Sequence, residues 1–182
     1  QDEHCQNLNI WTKTLDRGRK LPVLVWLHGG GYAAGSAIEH IAYDGFNMCM
    51  HGDVVVVSVN HRLNILGYLD LSPFGEKYAN SGNAGHADLV AALRWVHDNI
   101  SLFGGDPENV TVFGQSGGGV KVADLMQIAD ADGLFQKGMI MSGVSNASLL
   151  PSCTGDGRAI AAALLRELGL AEDEVEKLGT VP

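Results

Sequence analysis

The sequence predicts one domain of the α/β class, in which helices cover both faces of a mostly parallel sheet. Its 182 residues are close to the ~150 typical of one domain, and apolar runs alternate along them with helical patterns. The run VVVVSVN at 54–60 is β-branched and almost wholly apolar, which is typical of strands buried on both faces of a parallel sheet. The 46% apolar and 18% charged residues exclude a disordered chain.

The predicted elements follow from these patterns in chain order. Continuous or alternating apolar runs predict strands at 7–12, 23–28, 54–60, 110–114 and 137–143. A helix over 84–102 is indicated by apolar residues at spacings of three and four: Val90, Leu93, Val96 and Ile100. Further helices are predicted over 117–128, over 158–169, and, shorter and acidic, over about 171–178. Strands alternating with helices indicate right-handed βαβ units.

Charge and residue content exclude several classes of function. The net charge of −9 argues against a nucleic-acid partner. No window of 18 residues is continuously apolar, so no membrane span is expected. The cysteines Cys5, Cys49 and Cys153 show neither a disulfide framework nor zinc spacing, and they slightly favour a reduced, cytoplasmic compartment. No cofactor or metal is implied, and the oligomeric state stays open.

A nucleophile motif stands between the strand at 110–114 and the helix that follows it. Gly114 to Gly118 reads G-Q-S-G-G and matches G-x-S-x-G. A serine on a sharp strand-to-helix turn needs a strained backbone, and the flanking glycines leave room for it. The pattern also arises by chance in glycine-rich turns. Ser116 is therefore a candidate nucleophile that needs a second signal.

The second signal is the glycine run His28-Gly29-Gly30-Gly31, directly after the strand at 23–28. Such a loop exposes backbone N–H groups that can hydrogen-bond a developing oxyanion. A phosphate-binding loop is the alternative interpretation, but no Gly-Lys-Ser/Thr follows. The two motifs together favour acyl transfer through a serine.

With these motifs the chain resembles the type-B carboxylesterases, the cholinesterase-like branch of the α/β-hydrolases. The resemblance covers about residues 3–145 and is carried by NLNIWT, PVLVWLHGGGY, VVVVSVNHRLNILGYL, SGNAGHADLVAALRWVHDNISLFGGDPENVTVFGQSGGG and LFQKGMIMSG. It implies a partial α/β-hydrolase fold and a small-molecule ester as substrate. It also implies Ser116 as the acylated nucleophile and Gly30, Gly31 and Gly117 as the oxyanion N–H donors. Arg62 and Asp88 match a structural salt bridge of that family.

The chain departs from the family pattern around the serine. Gln115 stands where Glu is often found, Gly117 stands where Ala is usual, and His61 stands where Tyr is common. Gly117 is expected to loosen the first helical turn.

A larger departure concerns the general base. In α/β-hydrolases the triad runs Ser, then Asp or Glu, then His, but all seven histidines here precede Ser116. We therefore interpret residues 1–182 as an internal part of one hydrolase domain, with 151–182 beginning a helical cap or linking segment. A local base, His61, His86 or His97, is the less favoured alternative. Two rival hypotheses are a non-catalytic binding module of the same fold and an inactive fragment.

Overall fold

The computed structural model describes residues 4–143 and 157–180 and contains one five-stranded sheet. Its strands are β1 (Asn7–Trp11), β2 (Leu21–Leu27), β3 (Val55–Asn60), β4 (Gly105–Gln115) and β5 (Lys137–Met141). They lie in the order β1-β3-β2-β4-β5, where β1 is antiparallel to β3 and the other three pairings are parallel. The predicted mostly parallel α/β sheet is confirmed, with a strand at each predicted place.

The helices include two that the sequence patterns did not indicate. The α-helices are α1 (Phe46–His51), α2 (Asn64–Tyr68), α3 (Ala84–Asn99), α4 (Gly117–Leu125) and α5 (Gly157–Glu167). Short 3-10 helices span Ile41–Tyr43, Ser72–Phe74, Glu76–Tyr78, Ser81–Asn83, Ile100–Phe103, Ala129–Ala131 and Glu172–Thr180. The unpredicted α1 and α2 have only six and five residues, too few to show a helical period.

Several element boundaries differ from the predictions by a few residues. The helix after the serine ends at Leu125 rather than at 128. Strand β4 begins at Gly105, because Gly105 pairs with Leu21 before an irregularity shifts the register ahead of Val23. The predicted helix at 171–178 is instead a 3-10 helix, broken by non-helical dihedral angles at Glu174. Of the predicted segment 151–182, residues 151–156, 181 and 182 lie outside the described residues, and its role as a cap or link stays a prediction.

The core lies between the sheet and two long helices. Valines of β2, β3 and β4 that point to one face are fully buried, and they pack with apolar residues of α3 and α4 such as Leu93 and Leu125. Burying one such side chain contributes about 1.5–3 kcal/mol. On the opposite face, Trp26 contacts Tyr43 and Phe113. There, Gly45, which precedes α1, is packed against Trp11 and Val56.

The parallel strands bring three loops to one edge of the sheet. Strands β2, β3 and β4 run in the same direction, so their carboxyl ends share that edge. The residues that follow them are His28, His61 and Ser116. The register aligns Leu27 with both Val59 and Gly114. Residues far apart in sequence therefore meet at the carboxyl edge, where ligands of open α/β sheets bind.

Candidate active site

Ser116 sits in a strained turn between β4 and α4. Its φ of 55° and ψ of −122° lie in a region that non-glycine residues rarely adopt. The Ser116 N–H donates to the carbonyl of Met141 at 2.8 Å, and the Ser116 carbonyl accepts from the N–H of Val120 at 3.1 Å. The predicted strained conformation at the carboxyl end of a parallel strand is confirmed, and the side chain is exposed.

The glycines of the motif are required by close backbone packing. A Cβ at Gly118 would lie 2.1 Å from the Leu27 carbonyl oxygen, and one at Gly114 would lie 2.5 Å from the Gly118 carbonyl carbon. Both distances are far shorter than any van der Waals contact. Helix α4 therefore begins directly against the end of β2, which is possible only without side chains at these positions.

The glycine run after β2 lies against the start of α4. Gly30 and Gly31 have φ of 85° and 63°, values that glycine adopts without steric cost. A Cβ at Gly117 would lie 2.4 Å from the Gly31 nitrogen. The expectation that the two glycine loops meet in space is confirmed. Gly117 makes room for the backbone of Gly31, and its expected loosening of the first helical turn stays a prediction.

The predicted pair of Arg62 and Asp88 is present. The Arg62 Nε–H donates to Asp88 Oδ2 at 2.8 Å and its Nη2–H donates to Oδ1 at 2.7 Å, while the Arg62 backbone N–H also donates to Oδ2 at 2.9 Å. Such two-pronged, charge-assisted contacts are strong and directional. The pair ties the loop after β3 to the beginning of α3.

Of the three histidines considered as local bases, two contact carboxylates and the third is buried. His86 Nε2 lies 3.1 Å from Asp124 Oδ2, and His97 Nδ1 lies 3.0 Å from Asp98 Oδ1 near the far end of α3. His61 is buried, and neither of its ring nitrogens has a hydrogen-bond partner among the residues that the structure describes. Within residues 4–143 and 157–180, none of the three hydrogen-bonds to Ser116.

A buried polar cluster beneath the glycine loop was not predicted from the sequence. It consists of His28, His61 and Lys121, whose side chains are at most 3% exposed. Burial, helped by the positive charge of Lys121, lowers the pKa of His28 and lowers that of His61 to about 2. Burial likewise lowers the pKa of Lys121 to about 8, although Glu39 opposes the shift. Both histidines are therefore neutral at pH 7.

The sequence did contain a signal for Lys121. Gly117, Lys121, Val122 and Leu125 recur at helical spacing and are all buried, so a lysine occupies a position in the apolar stripe of α4. Its side chain donates from Nζ to the carbonyl oxygen of His28 at 3.1 Å.

A second polar group joins the other end of the glycine loop to α4. Tyr32, which follows Gly31, donates its hydroxyl hydrogen to Asp124 Oδ2. The Tyr32 ring also contacts those of Tyr68 and His86. Burial, and then the hydrogen bond to Asp124, raises the pKa of Tyr32 far above its usual value. Tyr32 is thus a neutral donor at every physiological pH.

Two open clefts flank these groups. One lies between α3 and α4, has a volume of about 580 Å³ and is lined in part by His86, Arg94 and Asp124. The other has a volume of about 540 Å³ and includes Tyr32 and Tyr68. In the described part of the chain no three acidic, histidine or cysteine side chains converge as metal ligands would. None of the helices described there is long and apolar enough to cross a bilayer.

The chain matches a known protein family and several curated proteins. A family model described as the carboxylesterase family matches residues 1–180. The para-nitrobenzyl esterase of Bacillus subtilis is 43% identical over 181 residues, which are 100% of this chain and 35% of that protein. Carboxylesterase 1D of Mus musculus is 46% identical over 144 residues, which are 79% of this chain and 24% of that protein. The chain thus spans about a third or less of the length of these relatives.

Solved structures show the same correspondence. An esterase from the anaerobe Clostridium hathewayi, described as able to hydrolyse aliphatic aromatic polyesters, is 65% identical with a TM-score of 0.94. The match covers 100% of this chain and 36% of that one. A carboxylesterase of Geobacillus stearothermophilus is 43% identical with a TM-score of 0.86, over 98% of this chain and 36% of that one.

Proposed function

Because this chain belongs to the carboxylesterase family, we propose that the protein hydrolyses carboxylic esters through an acyl-enzyme on Ser116. The observation that carries the proposal is the turn at Ser116, with φ of 55°, set directly against the glycine loop that follows β2. A strained, exposed serine beside a glycine loop is the arrangement that acyl transfer to serine requires.

The proposed reaction assigns a role to each glycine donor. Ser116 Oγ attacks the ester carbonyl as a base removes its proton, and the new oxyanion accepts hydrogen bonds from the N–H groups of Gly30, Gly31 and Gly117. The alcohol then leaves with a proton from the protonated base, and water later cleaves the acyl-enzyme to the acid. Each donor of this kind contributes about 2.7–4 kcal/mol to transition-state stabilisation.

We propose that the general base and its carboxylate partner lie outside these 182 residues. No histidine follows Ser116 in the sequence, whereas the α/β-hydrolase triad places its histidine last. The histidines considered as local bases, His61, His86 and His97, make no hydrogen bond to Ser116 within the described residues. The third of the relatives' length that this chain spans is consistent with this division.

The proposed substrates are small carboxylic esters. The relative from Clostridium hathewayi is described as hydrolysing aliphatic aromatic polyesters. Since it is 65% identical across the whole chain, we include esters of this class among the candidate substrates. The rival hypothesis is a non-catalytic binding module of the same fold. The intact serine and both intact glycine loops argue against it.

The test uses the 182-residue chain with Ser116→Ala and a matched control. Ser142→Ala changes another exposed serine of positive φ, 52°, which follows the neighbouring strand β5. We expect a fluorophosphonate probe in large excess to modify Ser116 slowly, because the base is absent, in the unchanged chain and in Ser142→Ala, as mapped by mass spectrometry. Modification elsewhere, or equal modification of Ser116→Ala, would contradict the assignment of the nucleophile.

Hydrolysis of p-nitrophenyl acetate tests the location of the base. We expect no serine-dependent turnover at an ordinary enzyme rate of about 1–10³ per second, because a serine without its base keeps only the contribution of the oxyanion hole and binding. Turnover at such a rate that disappears in Ser116→Ala would show that a base lies within the chain. His61, His86 and His97 would then be the candidate bases.

A further inference from the structure

Lys121 is a fully buried lysine on the helix that carries the nucleophile. Lysine is almost never fully buried unless it is paired, yet the Lys121 side chain has zero exposure. Its hydrogen bond goes to a main-chain carbonyl, that of His28, at 3.1 Å. His28 is the residue immediately before the oxyanion glycines.

Asp124 makes the corresponding contact at the other end of the glycine run. It lies three residues after Lys121 in α4, and residues at this spacing share one face of a helix. The Asp124 carboxylate accepts the hydroxyl hydrogen of Tyr32, and Tyr32 is the residue immediately after Gly31. Lys121 Nζ also lies 5.8 Å from the centre of the Tyr32 ring, within the range of a cation–π contact.

We infer that Lys121 and Asp124 are positioning residues that hold both ends of the oxyanion loop, residues 29–31, on the helix that begins after Ser116. The inference rests on the proposed role of Ser116 and extends it to residues that touch no substrate. One helix face thereby sets the position of the N–H donors relative to the nucleophile.

The need for such a clamp follows from the composition of the loop. Glycine has the largest conformational freedom of any residue, and the loop consists of three glycines, of which Gly31 lies against Gly117. A side chain cannot fill this contact, because a Cβ at Gly117 would overlap the backbone of Gly31. Hydrogen-bond donors that act in catalysis must be held within about 0.5 Å of their productive positions. The side chains that can supply this order are those at the two ends of the loop.

A purely space-filling role would not require these residue types. A methionine could fill the volume of Lys121 without the penalty of burying an ammonium group, which exceeds the gain from many buried charge contacts. The Lys121 ammonium group contacts the carbonyl oxygen of His28, before the loop, and the ring of Tyr32, after it. Both contacts restrain the main chain of the loop.

Amide hydrogen exchange measured by NMR on the 182-residue chain tests the clamp directly. Lys121→Met and Tyr32→Phe each release one end of the loop. We expect the amides of Ala33 and Ala34, which donate to the Gly30 carbonyl oxygen, to exchange roughly tenfold faster in Lys121→Met, since a hydrogen bond to a charged group is lost, and several-fold faster in Tyr32→Phe. Exchange at Val57 in the core should stay unchanged, and Lys121→Arg should restore much of the protection.

Matched controls separate the clamp from the chemistry of the substitutions. Lys177→Met and Tyr78→Phe make the same changes away from the loop, at residues of the 3-10 helices Glu172–Thr180 and Glu76–Tyr78, and should leave loop exchange unaltered. Unchanged loop exchange in folded Lys121→Met and Tyr32→Phe would overturn the inference, as would equal acceleration at Val57. If Lys121→Met does not fold, Tyr32→Phe alone decides.

Labelling of Ser116 by a fluorophosphonate adds the functional readout. Since no histidine follows Ser116 here, labelling depends on the oxyanion donors, and we expect it to slow about tenfold in Lys121→Met and to recover in Lys121→Arg. Faster exchange with unchanged labelling would overturn the positioning role. Labelling that persists in Ser116→Ala would instead refute the proposed function, while exchange would still decide whether the clamp exists.

Discussion

The middle of the sheet and its carboxyl edge are buried alike but built from opposite chemistry. In the middle, Val25, Val57 and Val112 are fully buried among other apolar side chains. At the edge, His28 and Lys121 are equally buried but polar, and four polar atoms, in His28, His61 and Tyr68, have no hydrogen-bond partner in the described part of the chain. The residues of positive φ around Ser116 belong to this same edge.

The difference shows where this fold gains stability and where it gives stability up. Burial of the valines contributes favourable free energy, whereas unpaired buried polar atoms and strained backbone each cost about 1–3 kcal/mol. Strained and unsatisfied groups persist only where the surrounding structure over-determines them. The apolar middle of the sheet therefore supports an edge shaped for chemistry. Four substitutions test this difference between the middle of the sheet and its edge, in order of decreasing expected effect.

The largest effect is expected for Gly118→Ala. The added Cβ would lie 2.1 Å from the Leu27 carbonyl oxygen, a backbone atom of the central strand that cannot move without disturbing the core. We expect a loss of more than about 4 kcal/mol in the free energy of unfolding, or failure to fold, measured by chemical denaturation. Gly179→Ala, where no atom lies within 4 Å of the added Cβ, should change it little.

Next comes Arg62→Met, which tests how strongly the edge depends on one ion pair. The substitution leaves Asp88, whose side chain is 9% exposed, without its cation. Removal of one partner of a buried pair costs about 3–5 kcal/mol. Arg158→Met is the matched control, because its partner Glu172 is 55% exposed and exposed pairs contribute about 1 kcal/mol or less. Similar losses in both variants would contradict the assigned importance of the pair.

A smaller effect is expected from His61→Phe, which should change how the free energy of unfolding depends on pH in the acidic range. Because burial lowers the pKa of His61 from 6.5 to about 2 in the folded state, the unfolded chain binds more protons between these values. Stability must then fall as the pH drops below 6.5. Between pH 8 and pH 5 the loss assigned to His61 is about 2 kcal/mol, and His61→Phe should abolish it in urea titrations. His97→Phe, on the surface, should keep the acid sensitivity.

The smallest effect is the contribution of Lys121 to the pH dependence of the free energy of unfolding above pH 8. Burial lowers its folded-state pKa from 10.5 to about 8, so above pH 8 the unfolded chain binds more protons and stability rises with pH. The facing groups His28, Tyr32 and Tyr68 keep their charge states in this range, since His28 is already neutral and the pKa values of both tyrosines are raised. Between pH 8 and pH 9 we expect about 1 kcal/mol, absent in Lys121→Met. A flat profile in the unchanged chain would contradict the burial of a charged lysine.

Local patterns in the sequence determined the strands, the long helices and the turn at the serine. The run at 54–60 is β-branched and apolar, which favours an extended backbone wherever it lies. The spacing of Val90, Leu93 and Val96 is likewise a property of one helix face. G-x-S-x-G specifies a strained turn because only glycines fit beside it. For the strands and helices, neighbouring residues favour the conformation, whereas the strained turn also requires the approach of the Leu27 backbone to Gly118.

Only the tertiary structure decided which distant residues meet at the carboxyl edge. The contacts of Lys121 with His28 and of Asp124 with Tyr32 span 93 and 92 residues, and no local pattern relates such positions. The antiparallel direction of β1 and the start of β4 at Gly105 likewise depend on pairing with distant segments. The physical reason is that the parallel sheet brings the ends of separate strands together, so a lysine in an apolar stripe becomes interpretable only when the carbonyl oxygen it meets is known.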